Sequence, residues 1–448
     1  MSFQTVLVAN RGEIALRIIE ACRELRIRSI AVYSEADEPM PYLKLADGAV
    51  CIGPADAARS YLNPAAIISV AELVEADAIH PGYGFLAENP GFVEICNEHG
   101  IRFIGPSQTA MRIVGDKVAT RECVAAAGVP VLPGGRAPKK PEDAAVMADE
   151  IGYPVLIKSV YGGGGRGLRW VETPAELAAA LAAAEAEAKA ASGEGHLYLE
   201  KAVRDPRHVE VQVLGDERGR TITLGERDCS IQRRHQKLIE ESPAPNLPAD
   251  VRERLRRAAL VTAHAVGYWS AGTVEFLVAP DGAFYFIEMN ARIQVEHSVT
   301  EVACRRNLVK EQIEIAAGGS VSLDLEATTP RGHAIECRLN AEDPTHGFLP
   351  STGVVHIDEL PGGHGIRLDT ALYDGMTVSP HYDSLLAKLI SWGEDRDEAV
   401  VRMQNALRRF RISGVATTKD LVFRVVSHPS FRNADLSTSF LDKNGLLV

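Results

Sequence analysis

A chain of 448 residues with 46% hydrophobic and 24% charged side chains is an ordinary globular protein, long enough for roughly two or three domains. Its formal net charge of −12 argues against a nucleic-acid surface, which needs an excess of Lys and Arg on one face. The start of the chain lacks a basic stretch followed by a long apolar core, no apolar run reaches membrane-spanning length, and seven scattered cysteines contain no C-x-x-C pair; the expectation is a cytoplasmic protein without a membrane partner, disulfide framework or zinc site.

Strand and helix signals alternate from the first residues onward. Residues 5–10 read as a strand, 12–26 as a helix with Ile14, Ile18, Cys22 and Leu25 at helical spacing, 29–33 as a second strand and 67–75 as a helix. Ala78-Ile79-His80 then leads into Pro81-Gly82-Tyr83-Gly84-Phe85. This is a doubly wound α/β pattern, whose ligand loops sit at the carboxyl ends of strands. No G-x-G-x-x-G follows the first strand, where Asn10-Arg11-Gly12-Glu13 stands, so a dinucleotide reading is weak. Helices are expected over 107–114 and 116–127, the second stopped by Gly128-Val129-Pro130. Residues 132–141 look like a linker into a small α/β unit that runs to about Val203. It carries an Ala-rich helix headed by Thr173-Pro174-Ala175-Glu176. A helix over 251–266 follows, on Leu255, Ala259, Thr262, Ala263 and Val266. After about Pro330 the pattern turns to short strands with Gly and Pro turns, then to a helix with Val400, Met403, Leu407 and Phe410 on one stripe.

The densest chemistry lies between Glu275 and His297. Residues 272–278 and 283–288 read as two strands around Ala279-Pro280-Asp281-Gly282, since Pro presets one turn dihedral and Gly tolerates a positive one. Alternation puts Glu288 and Asn290 on one face, with Glu275 available from the neighbouring strand. Converging carboxylates repel one another unless a cation sits between them. Hard oxygen ligands that fill only part of a shell suit magnesium or manganese carrying phosphates. For Glu275 alone, a solvated hairpin end is an equal reading.

Other stretches add to this cluster. Residues 154–171 form a strand, the run Gly162-Gly163-Gly164-Gly165 and another strand, without the G-K-[ST] of a Walker loop. Either it is a bare turn, or its amides approach phosphate oxygens beside the point charge of Lys158. Tyr198-Leu199-Glu200-Lys201-Ala202-Val203 is a seat for a purine edge or a surface strand end. Arg227, Arg233, Arg234, His235 and Lys237 crowd one stretch of an acidic chain, as an anion clamp facing the acids or a solvated loop, with Cys229 among them. Glu336, Arg338 and Asn340 share a strand face, where a lone Arg usually makes a structural salt bridge.

Taken together, the chain resembles the biotin carboxylase family of ATP-grasp enzymes over nearly its whole length. The resemblance rests on Val6-Leu7-Val8-Ala9-Asn10-Arg11-Gly12-Glu13, His80-Pro81-Gly82-Tyr83-Gly84-Phe85-Leu86, the glycine run, Glu226-Arg227-Asp228-Cys229-Ser230 and Arg233-Arg234-His235-Gln236-Lys237. It implies a mixed α/β and α+β architecture, an ATP-grasp fold: an N-terminal doubly wound α/β domain over 1–115, an ATP-grasp domain over 116–330 with a mobile glycine-rich lid at about 131–203, and a mixed C-terminal domain over 331–448. It also implies carboxylation of biotin by bicarbonate and ATP through carboxyphosphate. By the same resemblance Lys117, Lys158, Glu200, Lys201, Val203, His208, Gln232 and His235 hold ATP, with Gly164 and Gly165 over its phosphates. Glu275, Glu288 and Asn290 bind two magnesium or manganese ions. Lys237, Arg292, Gln294, Val295 and Arg338 hold bicarbonate with Glu296 as its general base, Arg338 also serves the biotin enolate, and Tyr83 lies on the substrate side.

The implied partners are a biotin carboxyl carrier protein, since no Met-Lys-Met site occurs in the chain, and carboxyltransferase subunits. A homodimer is implied, with Arg17 and Arg367 near its interface. Acetyl-CoA, for fatty-acid synthesis, is the first acceptor expected; pyruvate or another acyl-CoA is the alternative. Another ATP-grasp ligase, or a nucleotide-binding subunit without activity, are the other readings. The chain departs from the family pattern at Arg305, Asn307, Ser298 and Tyr161, where relatives carry Gly, Asp, Pro and, in some members, Gly. Loss of the Gly removes the residue that tolerates a positive φ, which puts local stability or partner coupling at issue.

Overall fold

The computed structural model describes residues 3–138, 140–159, 168–192, 195–322 and 329–447. Strands β1 (Thr5–Val8), β2 (Arg28–Tyr33), β3 (Gly48–Cys51), β4 (Ala78–His80) and β5 (Arg102–Phe103) form a parallel sheet in the order β3-β2-β1-β4-β5. Every residue of β1 and β4 is buried, as parallel strands covered on both faces require. Helix α1 (Gly12–Glu24) buries Ile14, Ile18, Ile19 and Cys22. Strand order reverses between β1 and β4, and the crevice outside their carboxyl ends is the usual ligand position of such sheets. There Asn10 Nδ2 donates to the carbonyls of Pro81 at 2.6 Å and Tyr83 at 2.7 Å, stitching the two segments together.

Helix α2 (Lys117–Ala126), capped by Asp116 on the amides of Val118 and Ala119, leads into a small antiparallel sheet. Its strands β6 (Gly134–Arg136), β7 (Val155–Ser159), β8 (Arg169–Val171) and β9 (Leu197–Lys201) run in the order β6-β9-β7-β8 beside α3 (Pro174–Ser192). The stretch read as a linker therefore contains an edge strand. Gly134 lies so close to β9 that a Cβ would meet the Leu199 carbonyl oxygen at 2.5 Å; glycine here permits close pairing. The glycine run, with Gly164, Gly165 and the neighbouring Tyr161, lies outside the described residues.

Strands β10 (Arg207–Gly215), β11 (Thr221–Arg233), β12 (Gln236–Ser242), β13 (Ser270–Val278), β14 (Phe284–Asn290), β15 (His333–Asn340), β16 (Ile366–Thr370) and β17 (Leu385–Gly393) form one antiparallel sheet. Their order is β14-β13-β10-β11-β12-β15-β17-β16. The basic stretch is thus no solvated loop but a hairpin, with Arg234 and His235 at positive φ in its turn. Pairing of β12 with β15 carries the same sheet across the change of pattern near residue 330. Helix α4 (Ala249–Ala265) buries Leu255, Ala259, Thr262 and Ala263, all on the expected stripe.

Helix α5 (His297–Cys304) follows the acidic cluster and ends on Arg305 at φ 55° and ψ 44°. This is the left-handed conformation that glycine adopts without a Cβ penalty, so the Arg carries local strain. Asn307 caps α6 (Leu308–Ala316), its Oδ1 accepting from the Lys310 amide at 3.0 Å; Asn and Asp serve this position equally. Ser298 Oγ donates to Asp369 Oδ2 at 3.0 Å. Arg17 and Arg367 converge on Glu301 of α5 at 3.2 and 2.8 Å, and Arg367 also grips Asp369 with two hydrogen bonds. Helix α7 (Arg396–Arg409) packs Val400, Met403 and Leu407, with Phe410 just beyond its end, on Ile335, Cys337 and Leu389.

Candidate active site

On β10 alternation turns Val209, Val211 and Val213 into the core and His208, Glu210 and Gln212 to the opposite face. Register then sets Glu210 opposite Glu275 on β13, and Glu275 opposite Glu288 on β14, in one row across the sheet. Like charges placed directly opposite are destabilising unless cations intervene. Lys237 and Arg227 supply them.

Lys237 Nζ stands 2.6 Å from Glu210, 2.6 Å from Glu296 Oε1 and 3.0 Å from Glu275. Arg338 donates from Nε to Glu240 at 2.6 Å and from Nη2 to Glu296 Oε2 at 2.8 Å. Each oxygen of Glu296 therefore has its own cation. Burial alone would raise the pKa of Glu296; Lys237, Arg338 and Arg227 outweigh it and hold the carboxyl well below its ordinary value. Arg292 donates to Glu88 at 2.8 Å, to Gln294 Oε1 at 2.9 Å and to Asn290 Oδ1 at 3.2 Å.

The stretch read as an anion clamp divides in two. Arg227 is completely buried beneath the row, bonded to Glu210, Gln212, Thr300 and Thr273, where it fixes Glu210 and cannot reach a substrate. Arg233 stacks on Phe348, 4.1 Å from the ring centroid. His235 and Lys237 are the basic residues of the stretch that line the cleft. Cys229 is buried and its thiol is pushed well up by burial and by Glu210, so it is another core thiol.

Along the other wall Lys117 Nζ lies 3.2 Å from Glu288, and Lys158 pairs with Glu200. His208 places Nε2 2.9 Å from Glu275, while its Nδ1 is 2.8 Å from Gln232 Nε2. Lys201 is committed elsewhere: Nζ donates to the carbonyls of Gly152 and Tyr153, each at 2.8 Å, leaving its stem and backbone to face the cleft. Burial, with Lys158 and His208 nearby, lowers the pKa of His235. Glu200 and Val203 complete this wall, and Gln294, Val295 and Tyr83 the far end, so every described candidate residue borders one cleft of about 1300 Å³.

Glu275 and Glu288 are hard oxygen donors of the kind that suit magnesium or manganese, and Asn290 beside them turns Nδ2 to Glu275 Oε1 at 2.8 Å and Oδ1 to Arg292. In this state the two acids face Lys117, Lys237 and His208, so the cluster is already matched to positive charge. Sequence reasoning missed Glu210, Glu240 and Glu88. The period-two polar row His208, Glu210, Gln212 was a usable signal for the first; nothing local marks the other two.

A carboxylate-bearing antiparallel sheet and a small second sheet, each with a lysine on the shared cleft, match the arrangement expected of the ATP-grasp class of ATP-dependent ligases that the motifs resemble. The family model for the carbamoyl-phosphate synthase L chain ATP-binding domain matches residues 116–324, between the biotin carboxylase N-terminal domain at 2–111 and C-terminal domain at 336–443. Biotin carboxylase 1 of Bacillus subtilis is 50% identical over 98% of each chain. The Campylobacter jejuni biotin carboxylase–β,γ-ATP complex superposes with a TM-score of 0.96 at 48% identity over 99% of each chain. The biotin carboxylase domain dimer of Hydrogenobacter thermophilus 2-oxoglutarate carboxylase, bound to MgADP, ADP and bicarbonate, gives 0.96 at 47% identity over 100% of this chain and 99% of that one. The chain belongs to the biotin carboxylase family. Among the described residues no helix is long and apolar enough to cross a membrane.

Proposed function

We propose that the chain carboxylates biotin with bicarbonate and ATP, releasing ADP and phosphate. One observation carries this reading: Glu296 is buried with one oxygen on Lys237 and the other on Arg338, beside the Glu275–Glu288 edge. Bicarbonate is a planar anion that matches the guanidinium forks of Arg292 and Arg338, with Lys237 as a point charge and Gln294 and Val295 alongside. As the anion draws those cations toward itself, Glu296 loses what holds its pKa down, and burial then raises its proton affinity. The base becomes strong only when its substrate is present.

Glu296 takes the bicarbonate proton as the anion's oxygen attacks the γ-phosphate, giving carboxyphosphate and ADP. Phosphoryl transfer is mostly positioning and charge neutralisation, which Lys117, Lys158 and Lys237 supply from three sides. Magnesium or manganese held by Glu275, Glu288 and Asn290 adds to that neutralisation when bound. The nucleotide lies along Glu200, Lys201, Val203, His208, Gln232 and His235, with Gly164 and Gly165 assigned to its phosphates by resemblance. Carboxyphosphate then splits to carbon dioxide and phosphate, the phosphate removes the ureido proton and leaves protonated, and Arg338 stabilises the enolate near Tyr83 while its nitrogen attacks the carbon dioxide carbon to form carboxybiotin.

On the same reading the three domains span 1–115, 116–330 and 331–448, and the chain works as a homodimer. Its free thiols suit the cytoplasm. Biotin arrives on a carrier protein, and a separate carboxyltransferase passes the group on, with acetyl-CoA as the first acceptor. Similarity to a 2-oxoglutarate carboxylase domain supports a 2-oxo acid as the second. The purified chain should hydrolyse ATP only with bicarbonate, faster with free biotin, and should transfer label from bicarbonate to biotin. A folded sample that does neither overturns the reading; the transferase that co-purifies with the chain decides the acceptor.

A further inference from the structure

We propose that Lys388 and Glu13 are positioning residues for this reaction, holding the Tyr83 side of the cleft and the Val295-Glu296 side at a fixed spacing through one buried ammonium. The proposal rests on the biotin-carboxylating reading above.

Lys388 on β17 has no solvent exposure, so its charge must be neutralised and its donors satisfied within the protein. Nζ donates to the main-chain carbonyl of Val295 at 3.0 Å and lies 3.1 Å from Glu13 Oε1 and 3.6 Å from Asp369 Oδ2. The same Glu13 oxygen accepts from the Tyr83 hydroxyl. Burial opposes the charge on Lys388, and Glu13, Asp369 and Glu336 more than offset it.

The placement follows from the fold. Glu13 sits in the first turn of α1 just beyond β1, and Tyr83 just beyond β4, so they meet in the crevice where the parallel sheet reverses its order. Lys388 arrives from the other sheet, in register opposite Arg338. One ammonium thus joins segments distant in sequence, and on the active-site side it grips the peptide carbonyl immediately before Glu296. Asp369 is clamped independently by Arg367 and Ser298, which fixes it as an anchor for the ammonium. Without that ammonium the 295–296 peptide loses a donor and Glu13 its cation. Glu296 is then free to shift against Lys237 and Arg338, and Tyr83 against both.

The test uses the full chain with Lys388→Met, Glu13→Gln, Tyr83→Phe and the double variant K388M/Y83F. Biotin carboxylation and bicarbonate-dependent ATP hydrolysis are read beside nucleotide affinity and thermal unfolding. The two positioning variants should lower kcat by about 10- to 100-fold and raise KM for bicarbonate and biotin, with nucleotide Kd kept within about threefold. The double variant should be less than additive, because Lys388 and Tyr83 act through the same Glu13 oxygen. A folded K388M with parental kcat and KM, losses shared equally by nucleotide binding, or strict additivity would each overturn the proposal. Should K388M fail to fold, E13Q decides: parental KM for both bicarbonate and biotin overturns it. An unaltered chain without bicarbonate-dependent activity overturns the functional reading instead; an active one beside unaffected variants overturns only the linkage.

Discussion

Around Glu296 every cation has a second carboxylate behind it, Glu210 and Glu275 behind Lys237 and Glu240 behind Arg338. Along the nucleotide wall the lysine pairs are sparser and lie on separate elements, Lys117 of α2 with Glu288 of β14 and Lys158 with Glu200 in the small sheet. Lys117 and Glu288 keep 38% and 33% of their side-chain exposure, whereas Glu296 keeps 1%. Removing one member of the closed cluster strands the others in low dielectric; removing one member of an open pair returns the other to water. The chemical end of the cleft is therefore organised before substrate arrives, and the nucleotide end is completed by its ligand.

The largest expected effect tests the base. Glu296→Gln keeps the shape and removes the proton acceptor, so kcat should fall by about 10²–10⁴-fold with nucleotide affinity retained. Activity within tenfold of the parent would assign the proton elsewhere. Lys237→Met should cost about 3–5 kcal/mol in urea unfolding, because three buried carboxylates lose their shared cation. Its counterpart Lys117→Ala, whose partner Glu288 keeps a third of its side-chain exposure, should cost under about 1 kcal/mol in stability, and should weaken nucleotide binding roughly tenfold or more through the loss of a charge-assisted contact to phosphate. Equal stability losses in the two variants would erase the distinction between the halves.

Acid should loosen the chemical end. Burial drives the pKa of His80, below the Tyr83 loop, down to about 3, and burial with Lys388 does the same to His297, directly after Glu296. Both folded values lie below the ordinary 6.5, so the neutral-state stability is fully present above pH 6.5 and is lost as pH falls toward 3. Between pH 7 and pH 5 these rings should contribute a loss of roughly 2 kcal/mol per histidine, read in the urea midpoint, and His297→Asn should remove its half. The same pH dependence in His297→Asn and the parent would place that ring in contact with solvent, whatever the buried groups of raised pKa such as His208 and Glu240 add in the opposite direction. The smallest effect is at the end of α5, where Arg305→Gly should raise stability by up to about 1 kcal/mol by relieving a left-handed backbone, read as a small rise in Tm.

Much of the site was legible in the chain. The β13–β14 hairpin announces itself because Pro and Gly fix the turn and alternation fixes the faces, which brings Glu275, Glu288 and Asn290 together without distant information. Lys237 was legible as a cation facing acids, but not as the hub of three carboxylates. The stretch at 132–141 misled because glycine in a tightly paired edge strand has the same composition as glycine in a linker. The basic stretch misled because two arginines that by sequence belong to an anion clamp or a solvated loop, Arg227 and Arg233, are respectively buried on Glu210 and stacked on a ring.

By itself the sequence determined the doubly wound start and the acid-bearing hairpin, since each depends on spacing or turn chemistry within a few residues. Only the tertiary structure decided which acids neutralise which cations. Glu88 holds Arg292 from 204 residues away, Glu240 holds Arg338 from 98, and Lys388 reaches Val295 across 93. An ion pair's partner leaves no mark on the residues beside it, because the pairing is set by strand order and register within the large sheet and by the loops packed against it.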